Sequence, residues 1–332
     1  MELAIGRMKH GPLNLITAVP GVRVGHATID RDDCHTGVTV VMPPCRNPYT
    51  EKLTAASCVF NGFGKTLGLV QVDELGTLET PIALTNTLNV GRVHDAMVGY
   101  MIDLCREAGF RLTTVNPVVC ECNDSRISDI GQRPVGETEV RAAIAAADTT
   151  FAQGAVGAGR GTICYGMKGG IGSSSRQFEV DGETFTIGVL VQSNYGASSD
   201  FRDAVLPEGL AECDRGSIIL IVATDLPLTC RQLKRVLRRT SVGMARLGSY
   251  IGHGSGEVCV GFTTAPRQKT SEHFASVRML DEDSMNLPFR AVGEAAEEAI
   301  LQSMLAANAD HALDGSTIPC LRDHLKGRDR HD

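Results

Sequence analysis

The sequence predicts a layered α/β fold, and three observations support that prediction. Apolar, β-branched runs typical of strands alternate along the chain with segments whose apolar residues recur at helical spacing. No internal repeat or Ser/Pro-rich linker divides the 332 residues. Hydrophobic residues make up 42% of the chain and charged residues 21%, the balance of a globular enzyme or binding protein with a large core. We therefore expect one layered α/β domain.

The strands are predicted from apolar alternation and β-branched content. Residues 21–29 and 37–43 form two short strands, consistent with a hairpin. Residues 184–196 and 216–228 are longer and more strongly apolar. A last strand is predicted where Val258, Val260 and Phe262 alternate with other residues.

Four segments are predicted to be helical: 93–109, 138–150, 229–248 and 289–309. In the first, apolar residues recur at i, i+3, i+4 and i+7, and Gly109 provides a C-terminal glycine cap. The third is rich in lysine and arginine and follows the strand at 216–228. This alternation of strands and helices supports the layered arrangement.

Composition excludes several classes of function and location. A net charge of -7 without a run of lysine or arginine argues against nucleic-acid binding. The eleven cysteines are odd in number and scattered, so they predict no complete disulfide framework and favour a reducing compartment. The start of the chain lacks a secretory signal, and no run reaches transmembrane length, so we expect a cytoplasmic protein without membrane contact.

Two glycine-rich stretches, residues 154–162 and 167–176, resemble phosphate-binding loops only superficially, because neither fits G-x-x-x-x-G-K-[ST]. We expect them to line a pocket where the backbone approaches a substrate closely, which makes Gly169 and Gly170 candidate substrate-binding residues. Tyr165 lies beside the second loop. Cys120 and Cys122 form a lone pair without a second pair, so no metal ion and no cofactor is predicted.

The stretch GHGSGEV, residues 252–258, contains the candidate nucleophile. It does not match the G-x-S-x-G elbow of α/β-hydrolases, because a strand rather than a helix follows Ser255. A serine without a nearby His-Asp pair needs another base, and its own α-amine would serve if the chain were cut before it. Gly254 is expected to take a strained backbone conformation that exposes its carbonyl group to attack.

Six blocks together resemble the successive signatures of the DmpA family of self-processing L-aminopeptidase/D-alanyl esterase-amidases and β-aminopeptidases. They span residues 16–29, 78–101, 163–176, 188–196, 216–228 and 254–264. The resemblance runs from about residue 14 to about residue 310. It implies a single catalytic domain, residues 1–332, cut into an α chain of residues 1–254 and a β chain of residues 255–332. It also implies a four-layer α/β/β/α sandwich like that of Ntn hydrolases, and a homo-oligomer of αβ units.

The resemblance implies roles for individual residues. Ser255 corresponds to the nucleophile, which attacks first the Gly254 carbonyl group and later the substrate. Tyr165 corresponds to a tyrosine that polarises the reacting carbonyl group. Asn194 is a candidate second donor to the oxyanion, although a turn-forming role is an alternative.

Other positions depart from the family or have weaker support. Glu297 corresponds to a proton-relay glutamate, but Ala295 stands where the family pattern has a serine. Glu297 is then either a charge partner of the Ser255 amine or a helix-surface acid. Asn86 is a candidate substrate-lining residue, with an ordinary turn as the alternative.

The predicted function is that of an aminopeptidase or amidase-esterase that releases the N-terminal residue from small peptides, amides or esters. Acyl transfer of the ornithine acetyltransferase type is one alternative, but those enzymes cut themselves before a threonine. A weakly active family member that binds a small ligand is another, suggested by Ala295. Pocket shape decides among L-α, D-α and β-amino acid derivatives.

Overall fold

The computed structural model describes residues 5–202, 214–269, 273–274 and 277–328. The elements of the first half, in chain order, are β1 (Arg23–Arg31), β2 (Cys34–Met42), β3 (Glu51–Gly62), α1 (Leu69–Leu75), β4 (Thr77–Leu78), β5 (Ile82–Asn86), α2 (Val90–Glu107), β6 (Val118–Cys122) and α3 (Glu137–Ala145). The predicted hairpin is confirmed by the antiparallel pairing of β1 with β2. Helix α2 ends at Glu107, and Gly109, which lies just beyond it as the predicted glycine cap, has a positive φ of 86°.

The second half contains β7 (Ile163–Cys164), β8 (Met167–Lys168), β9 (Gly170–Val180), β10 (Glu183–Asn194), β11 (Arg215–Thr224), α4 (Cys230–Leu237), α5 (Thr240–Arg246), β12 (Gly254–Lys269), α6 (Asn286–Leu305), β13 (Asp310–His311), β14 (Thr317–Ile318) and α7 (Leu321–Arg328). Most of the glycine-rich stretch at 167–176 is therefore strand and not loop. Gly172 shows why glycine is needed there, because a Cβ at this position would overlap the carbonyl oxygen of Ala299 on α6.

The segment 229–248 forms two helices, so the prediction of one continuous helix is wrong. Helix α4 begins at a capping box in which the Thr229 hydroxyl accepts from the Gln232 amide. It packs on β3 and β12, whereas α5 packs on α6. The break allows each short helix to cover a different neighbour. Helix α5 comes close to α6 at Gly243, where a Cβ would lie 2.5 Å from the Glu297 amide nitrogen.

Two sheets lie face to face. One has the order β1-β2-β5-β6, and the other has the order β4-β3-β12-β11-β10-β9. Within the larger sheet β11 and β12 are parallel, and the other pairs are antiparallel. Strand β12, which carries the candidate nucleophile, is thus held on both edges. The parallel pairing aligns the starts of β11 and β12, so Gly216 lies opposite Ser255.

Three apolar clusters fill the spaces between the layers. The first lies between the two sheets and includes Val41, Leu84 and Phe262. The second joins the smaller sheet to α2 and α3, and the third joins the larger sheet to α4, α5 and α6. The layers therefore follow the order α/β/β/α, and the predicted four-layer sandwich is confirmed. No helix in the described part of the chain is long and apolar enough to cross a bilayer.

Candidate active site

Ser255 lies at the start of β12, where the chain enters the larger sheet. A tight turn precedes it, and the Ser255 amide donates to the Gly252 carbonyl oxygen at 3.0 Å. The side chain is fully buried, and its hydroxyl forms no hydrogen bond with any described residue. Buried polar groups without partners are uncommon in native proteins. The Ser255 hydroxyl therefore makes no structural hydrogen bond among the described residues.

Two side chains that the sequence analysis did not single out hold this turn. Asp214 accepts the Gly252 amide at 3.1 Å. The Asn61 side-chain amide donates to the carbonyl oxygens of Gly252 at 3.0 Å and His253 at 3.1 Å, and also to that of Ser255. These contacts flank the peptide bond between residues 254 and 255 and fix the backbone on both sides of it.

Gly254 does not have the strained conformation that the sequence suggested. Its φ lies outside the left-handed region, whereas Ile251 has a positive φ of 59°. A Cβ at Gly254 would lie 3.4 Å from the nearest atoms, which are Arg215 Cγ and the Asp214 carbonyl oxygen, an ordinary contact. The left-handed conformation is therefore found at Ile251, three residues before the expected position.

Glu257 is the second buried polar group at this end of β12. Its side chain is fully buried, and neither carboxylate oxygen has a hydrogen-bond partner among the described residues. Burial raises the pKa of Glu257 to about 7, the Ser255 hydroxyl lowers it in part, and the charge of Asp214 raises it further. The two side chains are thus close, but in the uncut chain their geometry does not form a hydrogen bond.

A cavity of about 870 Å³ opens beside the turn. Its walls include Gly254 and Ser217 from the end of the sheet where Ser255 lies. They also carry four side chains of mixed charge, which are Lys65, Glu121, Arg126 and Arg215. Glu121 is buried and accepts hydrogen bonds from the Lys65 amide at 3.0 Å and from the Thr87 hydroxyl. The walls can therefore bind both a cationic and an anionic group of a small molecule.

Asn194 lies on the wall of this cavity, at the end of β10. Its Oδ1 accepts the Ile163 amide at 3.0 Å, while its Nδ2 donates to no described residue. Gly216 permits the close approach of the neighbouring strand, because a Cβ there would overlap the Asn194 carbonyl oxygen. Gly216 also pairs with Ser255. The structure thus places the Asn194 amide and Ser255 two strands apart at the same end of the sheet.

The described contacts of Tyr165 are with other aromatic residues, and none of them joins it to Ser255. Tyr165 occupies the turn between β7 and β8 with a φ of 49°, and its ring packs against Tyr195 and Phe201. The phenol is buried and donates to the Tyr195 hydroxyl at 3.2 Å. Burial raises its pKa well above the usual value. Tyr165 is not among the residues that line the cavity, and this conformation gives its hydroxyl a core partner instead.

Glu297 lies on α6, where arginines engage both of its carboxylate oxygens. Oε1 accepts from Arg202 at 2.7 Å, and Oε2 accepts from Arg246 at 3.0 Å. Ala295 is fully buried in the apolar cluster between the larger sheet and the helices. Among the described contacts, none joins Glu297 to the Ser255 side chain. Its position favours a role in attaching α6 to α5.

The three candidate substrate-binding residues do not line the cavity. Asn86 is fully buried, and its side chain bonds to Thr36, Asp124 and Asn89. Cβ atoms at Gly169 and Gly170 would overlap backbone carbonyl oxygens of the protein itself. The close backbone approach predicted from these glycines therefore occurs within the core.

The sequence singled out Ser255 and Asn194, which the structure places at the same end of the larger sheet, but it did not single out four other residues of this region. Asn61, Glu121 and Asp214 lie far from Ser255 along the chain, so no spacing pattern connected them. Glu257 lies only two residues beyond Ser255. An acidic residue inside an otherwise apolar strand was the available signal.

Comparison with known proteins gives a consistent result. Peptidase family S58 matches residues 14–318. The beta-peptidyl aminopeptidase BapA of Sphingosinicella microcystinivorans is 36% identical over 345 residues, which covers 93% of this chain and 86% of that protein.

Solved structures agree with this match. A protein of Pyrococcus horikoshii OT3 has a TM-score of 0.91 and 41% identity, over 98% of this chain and 96% of its own. The L-aminopeptidase D-Ala-esterase/amidase of Ochrobactrum anthropi, described as a prototype of the serine aminopeptidases and a variant of the Ntn-hydrolase fold, has a TM-score of 0.89 and 31% identity, over 99% and 96% of the two chains. The chain therefore belongs to peptidase family S58 and is a hydrolase of the serine aminopeptidase/amidase type.

Proposed function

We propose that this chain cuts itself between Gly254 and Ser255, and that the new N-terminal serine then releases the N-terminal residue of small peptides, amides or esters. The main observation is the buried, unpartnered Ser255 hydroxyl, which follows a turn that fixes the adjoining peptide bond beside a cavity. The matured enzyme would consist of an α chain of residues 1–254 and a β chain of residues 255–332.

The cut proceeds by an acyl shift followed by hydrolysis. The Ser255 Oγ attacks the Gly254 carbonyl carbon, the C–N bond breaks, and the nitrogen takes up a proton and becomes the α-amine of Ser255. Water then hydrolyses the ester between Gly254 and Ser255 Oγ, which leaves a carboxylate on Gly254 and restores the hydroxyl. Strand β12 lies between β3 and β11, so the two fragments stay associated through the sheet.

The α-amine supplies the base for turnover. A free α-amine titrates near pH 8, so a useful fraction is neutral at physiological pH. It accepts the Ser255 hydroxyl proton as Oγ attacks the substrate acyl carbon, and it returns that proton to the leaving group. The Asn194 Nδ2 is the candidate donor to the oxyanion, because it lies on the cavity wall without a described acceptor.

The cavity supports a preference for small substrates with a free amino terminus. Its volume of about 870 Å³ fits a short peptide better than a folded protein chain. Glu121 is a buried carboxylate on its wall and would bind the substrate ammonium group. This pairing favours an aminopeptidase over an acyltransferase as the proposed activity.

Gel electrophoresis and N-terminal sequencing test this proposal. Purified wild-type protein should give two fragments under denaturing conditions, and the smaller should begin Ser-Gly-Glu-Val-Cys. Ser255→Ala should stay whole and inactive on aminoacyl anilides of L-α, D-α and β configuration, while the cut protein should hydrolyse at least one of these. A folded wild-type chain that remains whole would contradict self-processing.

Two further expectations stay predictions from the sequence. The matured enzyme is proposed to form a homo-oligomer of αβ units, and it is proposed to work in the cytoplasm without nucleic acid or membrane partners. Light scattering of the cut protein checks the first, since the mass of a single αβ unit would contradict it.

A further inference from the structure

We propose that Glu257 is the proton acceptor for the Ser255 hydroxyl during self-cleavage. This inference rests on the proposed function and adds to it the base that acts before the α-amine exists. In the uncut chain the Ser255 nitrogen is an amide and cannot accept the proton. Some other group must therefore activate Oγ for the first reaction.

The first argument is the state of the Glu257 carboxylate. Leaving a buried polar group without a partner destabilises the fold, and more so when the group is charged. The other buried carboxylates in the described part of the chain all accept hydrogen bonds: Glu79, Glu121, Asp124, Asp214, Glu294, Glu297 and Glu298. Glu257 alone in that set has both oxygens unpartnered. The fold thus retains a costly group at one particular place.

The second argument is the position of Glu257 relative to Ser255. Residues i and i+2 of a strand point to the same face, so the side chains of Ser255 and Glu257 are neighbours on one side of β12. The pairing of β12 with β3 is interrupted directly after Glu257: Glu257 pairs with Asn61, and Val258 pairs with Val59. The extra residue of this bulge is Phe60 on β3, so β12 itself continues without an insertion, and such bulges are frequent beside active sites.

The third argument is the exclusion of other nearby bases. Asp214 uses one oxygen for the Gly196 amide at 2.9 Å and the other for the Gly252 amide at 3.1 Å. Glu297 is held by two arginines. His253 is exposed, with its ring near Phe63 at a centroid distance of 6.4 Å. Among these acid and base groups, Glu257 has free acceptor atoms and lies beside Ser255.

The electrostatics suit a base that works at neutral pH. Burial brings the pKa of Glu257 to about 7, so its carboxylate is a stronger base than an exposed glutamate and is still substantially ionised at physiological pH. Asp214 is the charged group that acts on it from the neighbouring loop, and it raises this pKa. The Ser255 hydroxyl acts in the opposite direction because it stabilises the ionised form.

The chemical step balances without a further reactant. Glu257 takes the proton as Ser255 Oγ forms a bond to the Gly254 carbonyl carbon. When the C–N bond breaks, the departing nitrogen receives that proton, and Glu257 is ionised again. Water then hydrolyses the ester as in the proposed function.

Pulse-labelled cell-free synthesis followed by a chase measures the cleavage rate directly, as the conversion of the full-length chain into two fragments. Glu257→Gln keeps the side-chain shape but removes the base, so we expect cleavage to slow by about 10²–10⁴-fold. The matched control is Asp225→Asn. Asp225 is a partly buried acid whose pKa is also raised by burial, but it lies just beyond the far end of β11 and accepts the Thr186 amide. That variant should cleave at the wild-type rate.

A pH profile of the wild type separates a chemical role from a structural one and needs no variant. The cleavage rate should rise with pH through about 7 and then level off, and Glu257→Gln should lose this step. Glu257→Gln that cleaves as fast as wild type, or a wild-type rate that is flat between pH 5.5 and 8.5, overturns the assignment while leaving self-processing intact. A folded wild-type chain that never cleaves overturns the proposed function as well.

Discussion

The larger sheet carries two buried polar clusters that differ in whether their polar groups have hydrogen-bond or ion-pair partners. Around Arg176 on β9 the polar groups are paired: its guanidinium contacts Glu298 at 2.7 Å and Glu294 at 3.4 Å, and it donates to the Ile5 carbonyl oxygen at 2.8 Å. At the start of β12, in contrast, Ser255 and Glu257 have no partners among the described residues. The first cluster attaches the N-terminal segment and α6 to the sheet, whereas the side chains of the second make no hydrogen bond with any described residue.

The pKa values of the two buried glutamates, Glu298 and Glu257, shift in opposite directions for the same reason. Burial alone would raise the pKa of Glu298, but Asn14, Arg176 and Ser174 outweigh it and leave the pKa below its usual value. No comparable contacts oppose burial at Glu257, so its pKa is raised to about 7. Burial therefore produces a structural ion or a reactive acid according to whether the surroundings supply hydrogen bonds and an opposite charge.

The largest expected effect in this comparison comes from breaking the paired cluster. Arg176→Met leaves Glu294 and Glu298 buried without their cation, so we expect the free energy of unfolding to fall by about 3–5 kcal/mol. Urea denaturation in the uncut Ser255→Ala background measures it. Arg278→Met, which removes an exposed pair with Glu183, is the control and should change stability little. Equal losses of unfolding free energy in the two variants would mean that the buried pairing around Arg176 stabilises the protein no more than an exposed ion pair does.

The sequence allowed the fold to be predicted because its signals are local. The apolar strands β10 and β11 and the periodic helix α2 can each be recognised from one short stretch of the sequence. The sequence did not predict two helices within residues 229–248. The break between α4 and α5 depends on which neighbour each helix packs against, and no local pattern shows this. The four-layer order came from the family resemblance and not from periodicity.

The candidate site was predictable only in part. Ser255 stands out because glycines flank it, and Asn194 follows an apolar strand. Asn61 contacts the turn from 191 residues away, at Gly252, and sequence spacing carries no signal at that range. The family pattern pointed to Glu297, but the arginines that engage it come from elsewhere in the chain. Whether a polar group has a partner is a property of the folded state.

An intermediate effect is expected at the cavity wall. There Asn194 Oδ1 accepts a hydrogen bond, whereas its Nδ2 donates to no described residue. Asn194→Ala should lower kcat by about 10²–10³-fold with little change in KM, because an oxyanion donor acts in the transition state. Steady-state kinetics of the cut enzyme on an aminoacyl anilide measures this. Asn116→Ala, which removes a side-chain bond to Glu79 remote from the cavity, should leave turnover unchanged. A parallel rise in KM at constant kcat would instead indicate substrate binding.

The smallest effect tests the comparison through stability and not through rate. Glu257 has a pKa near 4.5 when exposed and about 7 in the folded chain. Between these values the unfolded chain ionises while the folded chain keeps its proton, so the stability that Glu257 provides is complete below pH 4.5 and is lost as pH rises through 7. The full loss amounts to roughly 3 kcal/mol. Glu257→Gln in the Ser255→Ala background should therefore gain stability relative to its parent as pH goes from 4 to 8.

Glu298→Gln provides the matched control of opposite sign. Because the folded-state pKa of Glu298 is lowered, the stability it provides is present above its unfolded pKa and is lost as pH falls. This substitution should thus cost most at pH 8 and progressively less toward pH 4. Urea denaturation midpoints of both variants, measured from pH 4 to pH 8, test whether the two trends in stability are opposite. If the two curves ran in the same direction, the contrast between a paired and an unpaired buried carboxylate would not govern their titration.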